Sequence, residues 1–186
     1  SLYEIIKPHI KERAETYINA YNQLEIRFKA CQSITFRLFN EGLAYRFSTS
    51  SKDSLTIFRE NLDLILEPND SARFLSSQTF NSCWETPYEH SSVTGIENGK
   101  LCNLPFLVEK KNGPFVMITE TDLFNYPGLW LKGTGSEHLS ATCPPYPKTL
   151  SYKGSIFEHG QVANVRDYIA RVKGTRTYPW RIFAVA

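Results

Sequence analysis

Two carboxylates, Glu120 and Asp122, stand two residues apart in Ile118-Thr119-Glu120-Thr121-Asp122-Leu123. On an extended chain, residues two apart share a face at ~6.6 Å separation. Glycoside hydrolysis needs two carboxyl groups about 5–10 Å apart across the scissile bond, and metal ions also take carboxylate oxygens. The spacing therefore leaves a catalytic pair, a metal site and plain turn carboxylates all open. Trp84, Trp130 and Trp180, with ten Tyr, could supply platforms for sugar rings. Aromatics alternating along strands more often form core. Tyr88 and Glu89, close after Trp84, make a polar-aromatic cluster of the kind that faces clefts.

Other site chemistries find no pattern in the chain. There is no Gly-x-Ser-x-Gly elbow, phosphate loop or dinucleotide glycine pattern. His9, His90, His138 and His159 include no His-Glu-x-x-His or His-x-His pair. Cys31, Cys83, Cys102 and Cys143 are widely spaced without Cys-x-x-Cys, which argues against a zinc ribbon. Two disulfides or buried thiols are both compatible with that spacing.

The elements that must position the carboxylates read as strands. Phe115-Val116-Met117-Ile118 is an apolar run after the turn signal Asn112-Gly113-Pro114, and Tyr126-Pro127-Gly128 breaks the chain before Leu129-Trp130-Leu131. Leu104–Lys110 and Phe115–Glu120 form one predicted hairpin. Leu24, Ile26 and Phe28 alternate with charged residues as a half-buried strand does. Ile34, Phe36 and Leu38 pair across Asn40-Glu41-Gly42 with Leu43, Tyr45 and Phe47 in a second hairpin. Short apolar runs follow at Leu55–Arg59, Leu62–Leu66, Ala72–Leu75 and Glu137–Thr142, and Thr177–Ala186 ends as a strand. Val162, Val165, Tyr168, Ile169 and Val172 fall at helical spacing in a run short enough to be extended instead. Leu2–Ala20 predicts an ordered loop or arm. So many short strands, with turns about every ten residues, predict an all-β sandwich or barrel.

At 186 residues with 41% hydrophobic content, the chain has the length of a single domain, residues 1–186, with enough apolar surface for a core. The net charge of +2 is dispersed, with no basic block interleaved with aromatics, so nucleic acid is not an expected partner. No apolar run reaches the ~20 residues of a membrane-spanning helix. Beginning Ser1-Leu2-Tyr3 without a leader pattern, the chain reads as a piece of something longer.

Four segments, in order, resemble one family. Ile34-Thr35-Phe36-Arg37-Leu38-Phe39-Asn40-Glu41-Gly42-Leu43-Ala44-Tyr45-Arg46-Phe47 is similar to the Phe-Arg-x-x-Asn-Asp-Gly-x-Ala-Phe-Arg-Tyr segment in the amino-terminal domain of glycoside hydrolase family 97. Trp84-Glu85-Thr86-Pro87-Tyr88-Glu89 resembles its Trp…Tyr-Glu element. Ile118–Leu123 with Tyr126-Pro127-Gly128 resembles its Thr-Glu-Ala-Asp-Leu…Tyr-Pro-Gly motif, with Thr121 in place of the usual Ala. Arg176-Thr177-Tyr178-Pro179-Trp180-Arg181 resembles the Arg-Thr-x-Pro-Trp-Arg that closes the domain.

The resemblance implies an antiparallel β-super-sandwich of the galactose-mutarotase type, one part of a multidomain bacterial enzyme. Such enzymes are calcium-dependent α-glucosidases and α-galactosidases of Bacteroidetes, periplasmic or secreted. Their catalytic carboxylates come from a (β/α)₈ barrel, here expected after residue 186, which acts on the oligosaccharide. The amino-terminal domain lends one calcium-ligating Glu, and by motif position that residue is Glu120. Asp122 is expected to cap the turn before Tyr126-Pro127-Gly128, Asp167–Val172 to be extended, and the strands before Leu24 to be missing or unrecognisable. Trp180, opening the terminal strand after Pro179, should pack between the sheets. The competing expectation is a stand-alone carbohydrate-binding or scaffolding sandwich.

Overall fold

A computed structural model describes residues 1–10, 13–81, 85–151 and 161–186; Cys83, Trp84 and His159 lie outside these. The chain opens with β1 (Leu2–Ile6) and β2 (Tyr17–Phe28), then the hairpin β3 (Gln32–Phe39) and β4 (Gly42–Ser50). Short strands follow: β5 (Leu55–Ile57), β6 (Asp63–Ile65), β7 (Ser71–Phe74), β8 (Ser76–Ser77) and β9 (Glu89–Ser92). A 3-10 turn at Val93–Gly95 leads to β10 (Leu101–Asn103), β11 (Phe106–Glu109) and β12 (Phe115–Thr121). Next come β13 (Trp130–Gly133), β14 (His138–Thr142), β15 (Pro147–Ser151) and β16 (Gln161–Val165). The last strands are β17 (Ala170–Val172), β18 (Thr175–Thr177) and β19 (Trp180–Val185). There is no α-helix among the described residues.

All strand pairs are antiparallel. A ten-stranded sheet runs β1-β2-β3-β4-β19-β12-β11-β7-β9, with β18 also on β4. A five-stranded sheet runs β6-β14-β13-β10-β8, and β15-β16 and β17-β5 form two ribbons. The main core lies between the two large sheets. Phe74, Phe106, Val108 and Ile118 from one meet Cys102, Leu131 and Leu139 from the other. Phe74 and Phe106 stack at 5.3 Å between ring centroids. A second buried cluster joins Leu129, Cys143, Ile169, Ala170, Val172 and Tyr178.

Period-two alternation locates both hairpins where the sequence places them, β3–β4 and β11–β12. Gly42 is required at the first turn. Its φ is +147°, and a Cβ there would meet the Phe183 carbonyl oxygen at 2.0 Å. Of Asp167–Val172, which the family resemblance implies is extended, Ala170–Val172 forms β17, whereas residues 167–169 make a bend between β16 and β17. Cys31, Cys102 and Cys143 are free thiols, the last two buried.

Two expectations are corrected. Leu2–Ala20 is not a loop or arm: β1 pairs with β2 from Leu2↔Tyr21 to Ile6↔Tyr17, so strands do precede Leu24. Leu2, Tyr3, Ile5 and Ile6 are all exposed, so no burial-driven alternation marks this strand in the sequence. Leu24, Ile26 and Phe28 do alternate, yet they are not half-buried: Leu24 is 58% and Phe28 50% exposed. Neither buried cluster draws a residue from β1, β2 or β3.

Candidate functional site

Glu120 is the penultimate residue of β12 and pairs in register with Arg181 of β19. Their side chains project to the inner face, where Arg181 Nη1 donates to Glu120 Oε2. The other edge of the guanidinium makes a two-point contact with Glu60, from Nε to Oε1 and Nη2 to Oε2, each at 2.7 Å. Side-chain exposure is 1% for Arg181, 6% for Glu60 and 11% for Glu120. Two carboxylates thus share one buried guanidinium, a fork geometry that arginine alone supplies.

The Tyr-Pro-Gly turn completes the arrangement. It returns the chain so that Leu129 N–H donates to Glu120 Oε2 at 3.0 Å. Both hydrogen bonds fall on Oε2; among the described residues none falls on Oε1. Oε1 instead lies beside Gly128, where a Cβ would stand 3.0 Å away. Burial raises the Glu120 carboxyl above its ordinary pKa, a shift that the Leu129 N–H and Arg181 oppose and Glu60 reinforces. For Arg181, burial lowers the pKa, but the hydrogen bonds and charge of Glu60, with Glu120, outweigh it and hold the guanidinium protonated. Burial pushes the neighbouring Tyr45 hydroxyl and Cys143 thiol up to about 12, so both stay neutral near pH 7.

Asp122 is not on the same face as Glu120. Its φ of +69° ends the extended chain after Thr121, so the ~6.6 Å same-face pair expected of a strand does not form. Its carboxylate lies 3.6 Å from Arg46 Nη1 instead of capping the turn, and its backbone carbonyl accepts from Phe124 N–H at 2.9 Å. Trp180 is buried, 9% exposed, but not between the sheets. Strand alternation sets it opposite Arg181, on the outer face, where the guanidinium carbons of Arg37 and Arg46 lie over its ring at 4.7 and 4.4 Å. Glu89 accepts from Ser76 Oγ and from Lys100 Nζ at 2.5 Å, which engages it in structure. Trp130 is buried and meets Phe80 edge-on.

Three of the sequence motifs therefore converge on one carboxylate. Arg37 and Arg46 of the β3–β4 hairpin hold Trp180. The residue after Trp180, Arg181, holds Glu120. Arg176 donates to the Phe124 and Asn125 carbonyls and lies over the Tyr126 ring, which ties the closing motif to the Tyr-Pro-Gly turn. Glu60 was not legible as a partner: it lies 121 residues from Arg181 in sequence, between two three-residue strands without a motif.

Among the described residues, no group of three or more His, Cys, Asp or Glu is placed to hold a metal ion. Calcium takes six to eight oxygens, of which one carboxylate supplies at most two. Glu120 fits as a single calcium ligand, a hard oxygen donor with Oε1 uncommitted. It does not fit as a complete site.

Fold and site together define an antiparallel β-sandwich domain with an immobilised carboxylate at a strand end. The chain belongs to the glycosyl-hydrolase 97 N-terminal family, which it matches over residues 2–186. It is 36% identical over 185 residues to a retaining alpha-galactosidase of Bacteroides thetaiotaomicron, an alignment covering 93% of this chain and 28% of that protein. Its fold is similar to that of a glycoside hydrolase family 97 enzyme from Pseudoalteromonas sp. strain K8, solved in complex with acarbose. The TM-score is 0.76 at 15% identity, over 100% of this chain and 26% of the other. A variant of a family 97 enzyme from the same strain, solved in complex with panose, also gives a TM-score of 0.76. The chain thus spans little more than a quarter of the relatives it matches.

Proposed function

We propose that this chain is the non-catalytic amino-terminal domain of a calcium-dependent family 97 α-glycosidase, hydrolysing α-galactosides or α-glucosides. The alpha-galactosidase named among its relatives makes α-galactosides the first substrates to test. The domain works by completing the active-site pocket of a catalytic barrel in the same protein. Glu120 is the contact: it gives one oxygen to a calcium ion whose other ligands come from the barrel. When bound, calcium would supply Lewis-acid polarisation and a fixed template for substrate. An exported setting, periplasmic or secreted, suits an enzyme that meets oligosaccharides outside the bacterial cytoplasm.

The observation that carries this reading is the Glu120 carboxylate, fixed at Oε2 by Arg181 and Leu129 and uncommitted at Oε1. A stand-alone sugar-binding role gains nothing from Trp180, whose ring lies under two guanidinium groups. Two measurements on the 186-residue chain test the reading. Calorimetric titration with calcium should show no saturable site, and aryl α-galactoside and α-glucoside with calcium should give no turnover above buffer. Tight calcium binding or clear turnover by this chain alone would overturn it.

A further inference from the structure

The contacts around Glu120 are unequal at its two oxygens. Oε2 receives a charged donor from Arg181 and a backbone donor from Leu129. Oε1 receives neither, and beside it lies a glycine, Gly128, where an added Cβ would stand 3.0 Å away. The Gly128 φ lies outside the positive range, so backbone freedom does not account for this glycine; the space beside Oε1 does. The guanidinium that fixes Oε2 is itself fixed from behind by both oxygens of Glu60. A planar fork bound on two edges by two carboxylates has no rotational freedom left, so the orientation of Glu120 is inherited from Glu60.

We propose that Glu60 and Gly128 are positioning residues for Glu120. Glu60 fixes the Arg181 guanidinium that binds Oε2, and Gly128 keeps the space beside Oε1 clear. The carboxylate then presents a single oxygen, in one orientation, to a calcium ion completed by another part of the protein. This rests on the reading of Glu120 as a calcium ligand and adds what determines its geometry. Outer contacts of this kind set metal affinity because a ligand oxygen left free to rotate must be ordered when the metal binds.

The test uses the protein that carries this domain together with its catalytic domain, and calcium alone as the probe. Calcium affinity is measured by chelator competition, and the melting temperature of the calcium-free protein is recorded beside it. Glu60→Gln keeps the side-chain shape but removes the charge and one of the two acceptor points. Gly128→Ala changes no charge and sets a methyl group 3.0 Å from Oε1. Each should weaken calcium binding about tenfold to a hundredfold, the usual range for outer contacts. Glu120→Gln is the reference and should weaken it at least as much.

If Glu120→Gln weakens binding while Glu60→Gln and Gly128→Ala stay within about twofold of wild type, the positioning proposal is overturned and the ligand reading stands. If Glu120→Gln itself leaves the affinity unchanged, the ligand reading falls and the proposal with it. A lower melting temperature for Glu60→Gln with unmoved calcium affinity makes Glu60 purely structural, which also overturns the proposal. Should Glu60→Gln not fold, Gly128→Ala decides alone.

Discussion

Replacing Arg181 by Met removes the guanidinium from a buried group of two carboxylates and tests whether it holds the end of β12 and the start of β19 to Glu60. Met fills much of the volume, so the loss is electrostatic more than steric. Breaking a buried ion pair by deleting one partner costs about 3–5 kcal/mol, because the other charge stays desolvated. Here two charges are stranded, Glu60 and Glu120, at 6% and 11% side-chain exposure. The upper end of that range applies. For a domain of this size each kcal/mol moves the melting temperature by about 2–4 °C, so the fall should be about 10–20 °C.

The same variant has a definite pH signature. Without the guanidinium, nothing positive opposes the burial and the Glu60 charge that raise the folded-state pKa of the Glu120 carboxyl above its unfolded value. The folded protein then binds protons more tightly than the unfolded chain, so stability is greatest below the ordinary carboxylate pKa. It is lost as pH rises through that value to the raised one of Glu120. Urea unfolding of variant and wild type at pH 5 and pH 8 reads this directly: the deficit should be larger at pH 8. A midpoint within about 1 kcal/mol of wild type at pH 8, with no pH dependence, would refute the claim that Arg181 neutralises this site.

Trp180→Ala should cost about 3–5 kcal/mol despite its place on the outer face. An unchanged melting temperature would show that the Arg37 and Arg46 contacts with its ring contribute nothing to stability. Asp70 is fully covered; burial raises its pKa, but Lys110 and the Glu67 and Lys111 N–H groups more than offset this and hold it low. Its stabilisation is therefore present above the ordinary Asp pKa and lost as pH falls through the lowered one. Asp70→Asn should cost about 1–3 kcal/mol near pH 7 and flatten the acid side of the stability profile. An acid profile parallel to wild type would contradict that.

Strand alternation was legible in β2, β3–β4 and β11–β12, but burial accounts for it only in part. β11 alternates buried with half-buried residues, whereas Leu24–Phe28 of β2 alternates with both faces exposed. β1 was illegible because its side chains are exposed and its apolar residues, Leu2-Tyr3 and Ile5-Ile6, come in adjacent pairs that do not alternate. Alternation also fixes only relative parity. In β19 the inward residue is the charged Arg181 and the outward one the aromatic Trp180, so hydrophobicity points the wrong way. Glu120 was reached through its motif, but its partners were not. Arg181 lies in a motif that carries no hint of what the guanidinium binds, and Glu60 meets it only through tertiary packing. Asp122 looked like a partner carboxylate because an extended chain was assumed past Thr121; its left-handed φ breaks that assumption.

The most direct measurement compares Glu120→Gln with Asp122→Asn in the protein that includes the catalytic domain, following calcium affinity and glycosidase turnover together. Glu120→Gln should weaken calcium binding by at least about tenfold and lower turnover with it, whereas Asp122→Asn should leave both within about twofold. Wild-type affinity and turnover in Glu120→Gln, with both abolished in Asp122→Asn, would contradict the account: Asp122 would then be the carboxylate this domain lends to the metal.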